Sequence, residues 1–266
     1  MRNRPLFLLL VILFLNCRNV AVFAGGEAVP LPEHPRPDFQ RAAWVNLNGE
    51  WKFRFDSEDA GLKEKWFADA SGFPDTIVVP FPWGSPLSRV ADKGTLAWYA
   101  RTVRAPEAWR GQRVFLVAGA CDWETQAWLD GQPLGTHRGG YTPFEFDLTP
   151  FLKPGQDQRL VLRVDDSPRT FKLEGKQGYG NARGIWQTVY LEARPKTFLE
   201  YVQFAPDIDA GKVRVKAAFS SPASAGAELH VMFKSGGLRE AVLAVTSGLR
   251  GAAVRVADSE RPSLVA

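Results

Sequence analysis

Carboxyl groups are the first side chains to weigh in these 266 residues. Two of them held about 5 to 5.5 Å apart, one protonated and one ionised, can serve as acid and nucleophile. Asp165 and Asp166 are adjacent, and successive side chains of a regular strand point to opposite faces, so this pair does not converge. Glu145 and Asp147 share a face, but they alternate with Phe144 and Phe146, and that face reads as the solvated side of a strand. No catalytic residue is assigned from either pair. His34, His137 and His230 are too scattered to predict a metal site, and neither a Cys-x-x-Cys pair nor a His-Glu-x-x-His helix is present. A phosphate-cradling glycine loop and a Gly-x-Ser-x-Gly elbow are also missing, and the sequence predicts no cofactor. The run His137-Arg138-Gly139-Gly140-Tyr141 gathers a histidine, a cation and an aromatic on a glycine hinge. It reads as a tight connection, with Tyr141 anchoring the strand that follows.

The elements that must carry these residues repeat with period two. Trp51, Phe53 and Phe55 alternate with Lys52 and Arg54. Phe144, Phe146 and Leu148 alternate with Glu145 and Asp147, and Leu160, Leu162 and Val164 form a third such row. Asp130-Gly131 is a two-residue hairpin signal, and Lys153-Pro154-Gly155 is a turn before the next strand. Only Ala60 to Ala70 reads as helical, with Leu62 and Trp66 on one side. Many short strands with so little helix predict an all-β fold of two packed antiparallel sheets, a sandwich or jelly roll.

With 45% hydrophobic and 12% aromatic residues, 24 Gly and 19 Pro, the composition suits a β-rich globular chain with many turns. Residues 1–24 read as a secretory signal: Arg2 and Arg4 precede an apolar run from Leu6 to Leu15, and Val22-Phe23-Ala24 offers a cleavage point. The expected location is therefore secreted or periplasmic, with no membrane association after cleavage. Removing the leader takes away three arginines and no acid, so the formal charge of +4 becomes +1. No basic stripe for nucleic acid remains. Cys17 leaves with the leader, so Cys121 stands without an internal partner and reads as a small buried residue.

Several segments carry a family resemblance. Leu47-Asn48-Gly49-Glu50-Trp51-Lys52-Phe53, Val79-Pro80-Phe81-Pro82-Trp83, Trp98-Tyr99-Ala100-Arg101, the stretch from Ala127 to Asp147, and Gly180 to Glu192 follow one another in order. Together they resemble the N-terminal sugar-binding sandwich of the family 2 glycoside hydrolases, the β-galactosidase and β-glucuronidase group. The resemblance implies a galactose-binding-like jelly-roll sandwich over 25–195, followed by an incomplete immunoglobulin-like sandwich over 196–266. In the family the reacting glutamates sit on a later barrel. This sequence has no room for one, and its own role is expected to be non-catalytic.

In that family the sandwich lends a loop to the sugar pocket, and an acidic residue after the Arg-x-x-Asp strand bonds a sugar hydroxyl. The matching run Arg163-Val164-Asp165-Asp166 makes Asp166 the candidate, since a carboxylate accepts from two vicinal hydroxyls. A strand-end aspartate turning with Ser167-Pro168 is the competing reading. The loop Lys176 to Arg183 is expected to form a lip of the same surface, where Tyr179, Asn181 and Arg183 could stack on or bond a sugar; a plain surface loop is the alternative. Trp186 is expected in the core or against a neighbouring domain rather than as a platform. The expected partner is carbohydrate, with a catalytic barrel or another chain at an exposed sheet edge as further candidates. A freestanding carbohydrate-binding module and a structural or adhesive sandwich remain alternatives.

Overall fold

The computed structural model describes residues 28–170, 182–207, 209, 212–222, 228–234, 238–244, 251–257 and 263–264. The expected leader, and Tyr179 and Asn181 of the candidate loop, lie outside the described residues.

Alternating apolar and polar residues form strands β1 (Trp44–Asn46), β2 (Gly49–Phe55), β3 (Asp75–Val79), β4 (Leu96–Arg104), β5 (Arg113–Ala118), β6 (Cys121–Asp122), β7 (Glu124–Leu129), β8 (Gln132–Arg138), β9 (Phe144–Asp147), β10 (Asp157–Asp165), β11 (Gly184–Ile185) and β12 (Val189–Arg194). They assemble as a four-stranded sheet, β1-β12-β5-β9, facing a six-stranded sheet, β3-β2-β4-β10-β7-β8, with a small β11-β6 pair at one end. The pairings are antiparallel. Among the described residues there is no α-helix, only short 3-10 turns. The fold is the predicted all-β sandwich.

The period-two rows meet between the sheets. Phe53, Tyr99, Leu129 and Leu162 from the large sheet pack against Leu116 and Leu191 from the small one, and all six are at most 3% exposed. Burying each such side chain contributes about 1.5–3 kcal/mol. The hairpin at Asp130-Gly131 forms as expected, both residues holding positive φ (+49° and +79°) between β7 and β8. Strand β10 departs from the one-face pattern. Leu160, Leu162 and Val164 face the core, yet Val161 and Arg163 on the other side are also buried.

That second covering comes from the segment between β2 and β3, which lies over Trp98, Trp128 and Val161 and adds Trp66, Ala70 and Phe73. The indoles form a stack, Trp98 on Trp128 at 5.5 Å and Trp66 edge-on to Trp98 at 5.8 Å. The helix expected over Ala60 to Ala70 is absent. Asp56 accepts hydrogen bonds from the Ala60 and Gly61 amides (2.8 and 3.0 Å) and from Trp98 Nε1 (2.8 Å). Trp66 N–H then donates to the Gly61 carbonyl, and Lys65 takes φ +58°, a left-handed residue that closes a turn instead of propagating a helix. As a result Trp66 is buried while Leu62 is 40% exposed.

Beyond Arg194 come β13 (Leu199–Asp207), β14 (Lys212–Phe219), β15 (Glu228–Lys234), β16 (Leu238–Ala244), β17 (Gly251–Ala257) and β18 (Ser263–Leu264). They form a sheet in the order β13-β14-β17-β18 and a β15-β16 hairpin. Phe198 joins this part to the first sandwich, packing on Phe115 at 5.8 Å beneath Arg41, Arg113 and Arg194.

Candidate functional site

The motif residues of the sequence hold the scaffold. Asn48 is fully buried: its side chain donates to the Pro30 carbonyl (3.0 Å) and to Thr188 Oγ1 (3.1 Å) and accepts from the Val189 amide (3.1 Å). Arg101 donates to the carbonyls of Leu47 and Asn48 (2.5 and 3.0 Å), and burial lowers its pKa. Tyr99 is fully buried, and its hydroxyl accepts from the Ile185 amide at 3.5 Å. Removal of the phenol from water pushes its pKa well up. These contacts tie the entry of β2 to β4 and β12, and β4 to β11.

Asp166 directly follows β10, and its amide donates to the Thr95 carbonyl at 2.7 Å, so the strand pairing continues through it. Its carboxylate has no exposed surface and receives Arg183 Nε at 3.1 Å. Arg183 pairs by a backbone bridge with Trp83 and enters β11. Its other arm, Nη1, reaches Asp92 at 2.6 Å, where the carboxylate is 46% exposed. One guanidinium thus spans a buried and an open carboxylate. The approach depends on Gly184: its φ is +79°, and a Cβ there would strike the Tyr99 hydroxyl and the Trp83 ring.

Asp165 turns away from Asp166, and it is Asp165 that makes the turn with Ser167, accepting from the Ser167 amide at 2.9 Å. It also faces Arg169 at 3.4 Å. Burial opposes ionisation of Asp165, but the Ser167 hydrogen bonds with the charges of Arg169 and Arg163 outweigh it and hold the pKa low. Arg163 donates to Asp59 at 2.8 Å, and Glu124 receives Arg138 at 2.6 Å.

Of the sequence candidates, then, the structure brings Asp166 and Arg183 into contact. Asp92 was missed: it lies far away in sequence, just after the loop closed by Gly84 N–H to the Val90 carbonyl at 2.8 Å. Its only sequence signal is its place between the Pro/Trp loop and the Trp-Tyr-x-Arg strand. In the His137 to Tyr141 run, Gly139 has φ +133°, and a Cβ on Gly140 would strike the Asp122 carboxylate. Tyr141 does not anchor β9. It is 54% exposed and meets Trp186 edge-on at 5.7 Å. Trp186 is itself half-buried, with Nε1 bound to the Gly140 carbonyl at 2.7 Å. Cys121 is fully buried and has no disulfide partner among the described residues, and burial pushes its pKa up to about 12. Among the described residues, no group of three or more His, Cys, Asp and Glu is placed to hold a metal ion.

The described residues up to Arg194 form a two-layer β-sandwich with the Asp166, Arg183 and Asp92 side chains gathered at one end of its sheets. Residues 86–195, which hold Asp92, Asp166 and Arg183, match the family described as glycosyl hydrolases family 2, sugar binding domain. The chain is 30% identical over 127 residues to a β-glucuronidase of Paenibacillus borealis, covering 46% of this chain and 21% of that protein. It is 28% identical over 174 residues to a β-galactosidase of Thermoanaerobacter pseudethanolicus, covering 61% and 22%. A solved β-glucuronidase structure from an uncultured Clostridium shares the fold at a TM-score of 0.66 and 23% identity, covering 84% of this chain and 41% of that one. The chain spans only about a fifth of the length of these two curated relatives.

Proposed function

We propose that this chain is the sugar-recognising, non-catalytic portion of a secreted family 2 glycoside hydrolase, and that Arg183 and Asp92 face the sugar while the buried Asp166 carboxylate positions Arg183. The observation that carries this reading is the Asp166–Arg183 pair within the family-matching residues, beside an open Asp92 carboxylate. Hydroxyl-rich ligands suit such a cluster, because charged donors and acceptors bond hydroxyls more strongly than neutral ones. The fates of the other carboxylates support the non-catalytic role. Glu145 is bound by Arg194 and Asp147 by Arg113, while Asp165 and Asp166 turn to different arginines. Export is supported by the charged and apolar pattern of residues 1–24.

The test is turnover of nitrophenyl β-galactoside and β-glucuronide by the purified chain, alongside calorimetric titration with methyl β-galactoside and methyl β-glucuronide. No turnover is expected, with weak sugar heat that Asp166→Asn reduces at least fivefold. Turnover abolished by one carboxylate substitution would overturn the non-catalytic reading, and heat unchanged in Asp166→Asn would remove the proposed site.

A second reading, association with another chain, is favoured by β13. It is the terminal strand of its sheet and exposes Tyr201 (45%) and Phe204 (58%). Sedimentation of the chain and of Phe204→Lys tests it: self-association lost in the variant supports pairing at this edge, and monomers throughout reject self-pairing there.

A further inference from the structure

The outer face of the four-stranded sheet carries side chains that the Asp166 cluster does not use. Period two along β5, β9 and β12 turns Phe115, Glu145, Glu192 and Arg194 away from the core. Three neighbouring depressions of about 270, 200 and 330 Å³ lie over this face. Arg36 borders all three; Pro143 and Tyr190 are shared by the first two, and Glu145 and Arg194 by the last two. Trp186 stands at the first of them. We infer that these depressions form one groove that binds a short neutral oligosaccharide, at a place separate from Asp166.

The argument for a neutral ligand is electrostatic. Arg194 donates to both oxygens of Glu145 (2.9 and 2.6 Å) and to Glu192 (2.7 Å), and Arg41 donates to Glu192 at 2.8 Å. Cations and anions compensate one another within the wall, so the groove has no surplus charge to attract a phosphate, a uronate or a basic peptide. The pairing also holds Glu145 in place while leaving it 43% exposed. Each of its oxygens keeps a second lone pair for an incoming hydroxyl. Such an acceptor, already ordered before the ligand arrives, loses little side-chain entropy on binding.

The argument for a sugar rather than an apolar protein segment rests on which rings are free. Phe115 and Phe198 are covered by Arg194, at 4.2 and 5.0 Å, and so offer no apolar stripe to a helix or strand. Trp186, by contrast, lines the depression at one end, half-buried and edge-on to the exposed Tyr141. An aromatic face at the end and fixed acceptors along the middle match a pyranose chain, which presents C–H faces and hydroxyl edges by turns.

The experiment is titration calorimetry of the full chain with β-1,4-linked xylotetraose and galactotetraose, and with a glucuronate-capped tetrasaccharide. A neutral tetrasaccharide is expected to bind at least fivefold more tightly than the uronate-capped one. Trp186→Ala and Glu145→Gln are each expected to weaken it at least fivefold. Thermal melts check folding, and Glu145→Gln, which keeps size and shape, carries the test if the tryptophan variant does not fold. No heat from either neutral tetrasaccharide would overturn the inference, as would equal affinity for the uronate-capped one or unchanged heat in both variants. Loss of heat in Asp166→Asn alone would assign binding to the other cluster and equally overturn it. A second copy of the chain seated on this face, seen as dimers that Glu145→Gln dissolves, would do the same.

Discussion

Gly184 is the residue on which the Asp166–Arg183 contact turns. Its positive φ costs an L-residue about 1–2 kcal/mol, and a Cβ would press into Tyr99 and Trp83, where overpacking adds about 1–3 kcal/mol. Gly184→Ala is therefore expected to lower stability by about 3 kcal/mol, read from the urea midpoint, and to loosen Arg183 with it. His137 offers a second single-residue test. It stacks on Phe144 at 4.0 Å, and burial lowers its pKa against a smaller raising contribution from the Gly139 backbone. The folded chain thus binds its proton less readily than the unfolded chain. Its contribution is complete above the ordinary histidine value of about 6.5 and is lost as pH falls through and below that value. Urea titrations at pH 7.5 and 5.5 should show a drop that His137→Phe flattens; an equal drop in the variant would remove His137 as the cause.

At the level of elements, strands with clean alternation were legible before any coordinates, β2, β9 and β10 among them, because one face of each had to find the core. The Asp130-Gly131 hairpin was legible for a local reason, two residues that accept positive φ. What misled was tertiary. Leu62 and Trp66 had helical spacing, but the Asp56 carboxylate and the Trp98 indole captured the Ala60–Ala70 segment as turns. The second buried face of β10 could not be read from β10 alone, since its cover comes from residues far earlier in the chain. Strand β17 (Gly251–Ala257) carries little period-two contrast in its sequence, since Gly, Ala and Val fill six of its seven positions. In the candidate site, Asp166 and Arg183 came from motif position, whereas Asp92 joins them only through folding. The link between the two parts is also testable at this scale. Phe198→Ala removes a ring held by Phe115 and three arginines and should cost about 3 kcal/mol. Hydrogen exchange should then quicken through β13 and β14 while β4 and β10 keep their protection; uniform quickening would show that Phe198 is no local clamp.

For the molecule as a whole, partly covered acids set the acid limit. Partial covering opposes ionisation of Asp130 and Asp147, yet hydrogen bonds and nearby cations hold their pKa values low, as in Asp165. Their contribution is present above the ordinary carboxylate value near 4 and is lost as pH falls through the folded values. At the other limit, burial raises Cys121 and Tyr190 to about 12, Glu192 adding to the effect at Tyr190. Because these groups ionise more readily when unfolded, stability is complete below their unfolded values and declines as pH rises from about 9 toward 12. Cys121→Ala should move the alkaline onset of unfolding upward, as followed by circular dichroism; an unmoved onset would assign the limit to the tyrosines. The packing that covers the large sheet has an optical consequence too. With Trp98 and Trp128 almost parallel and Trp66 close by, their excited states mix, and the folded chain should show an exciton couplet in its ultraviolet dichroism. That signal belongs to the stacked indoles and not to the strands, so its decay on heating gives a built-in clock for when the covering segment lifts away.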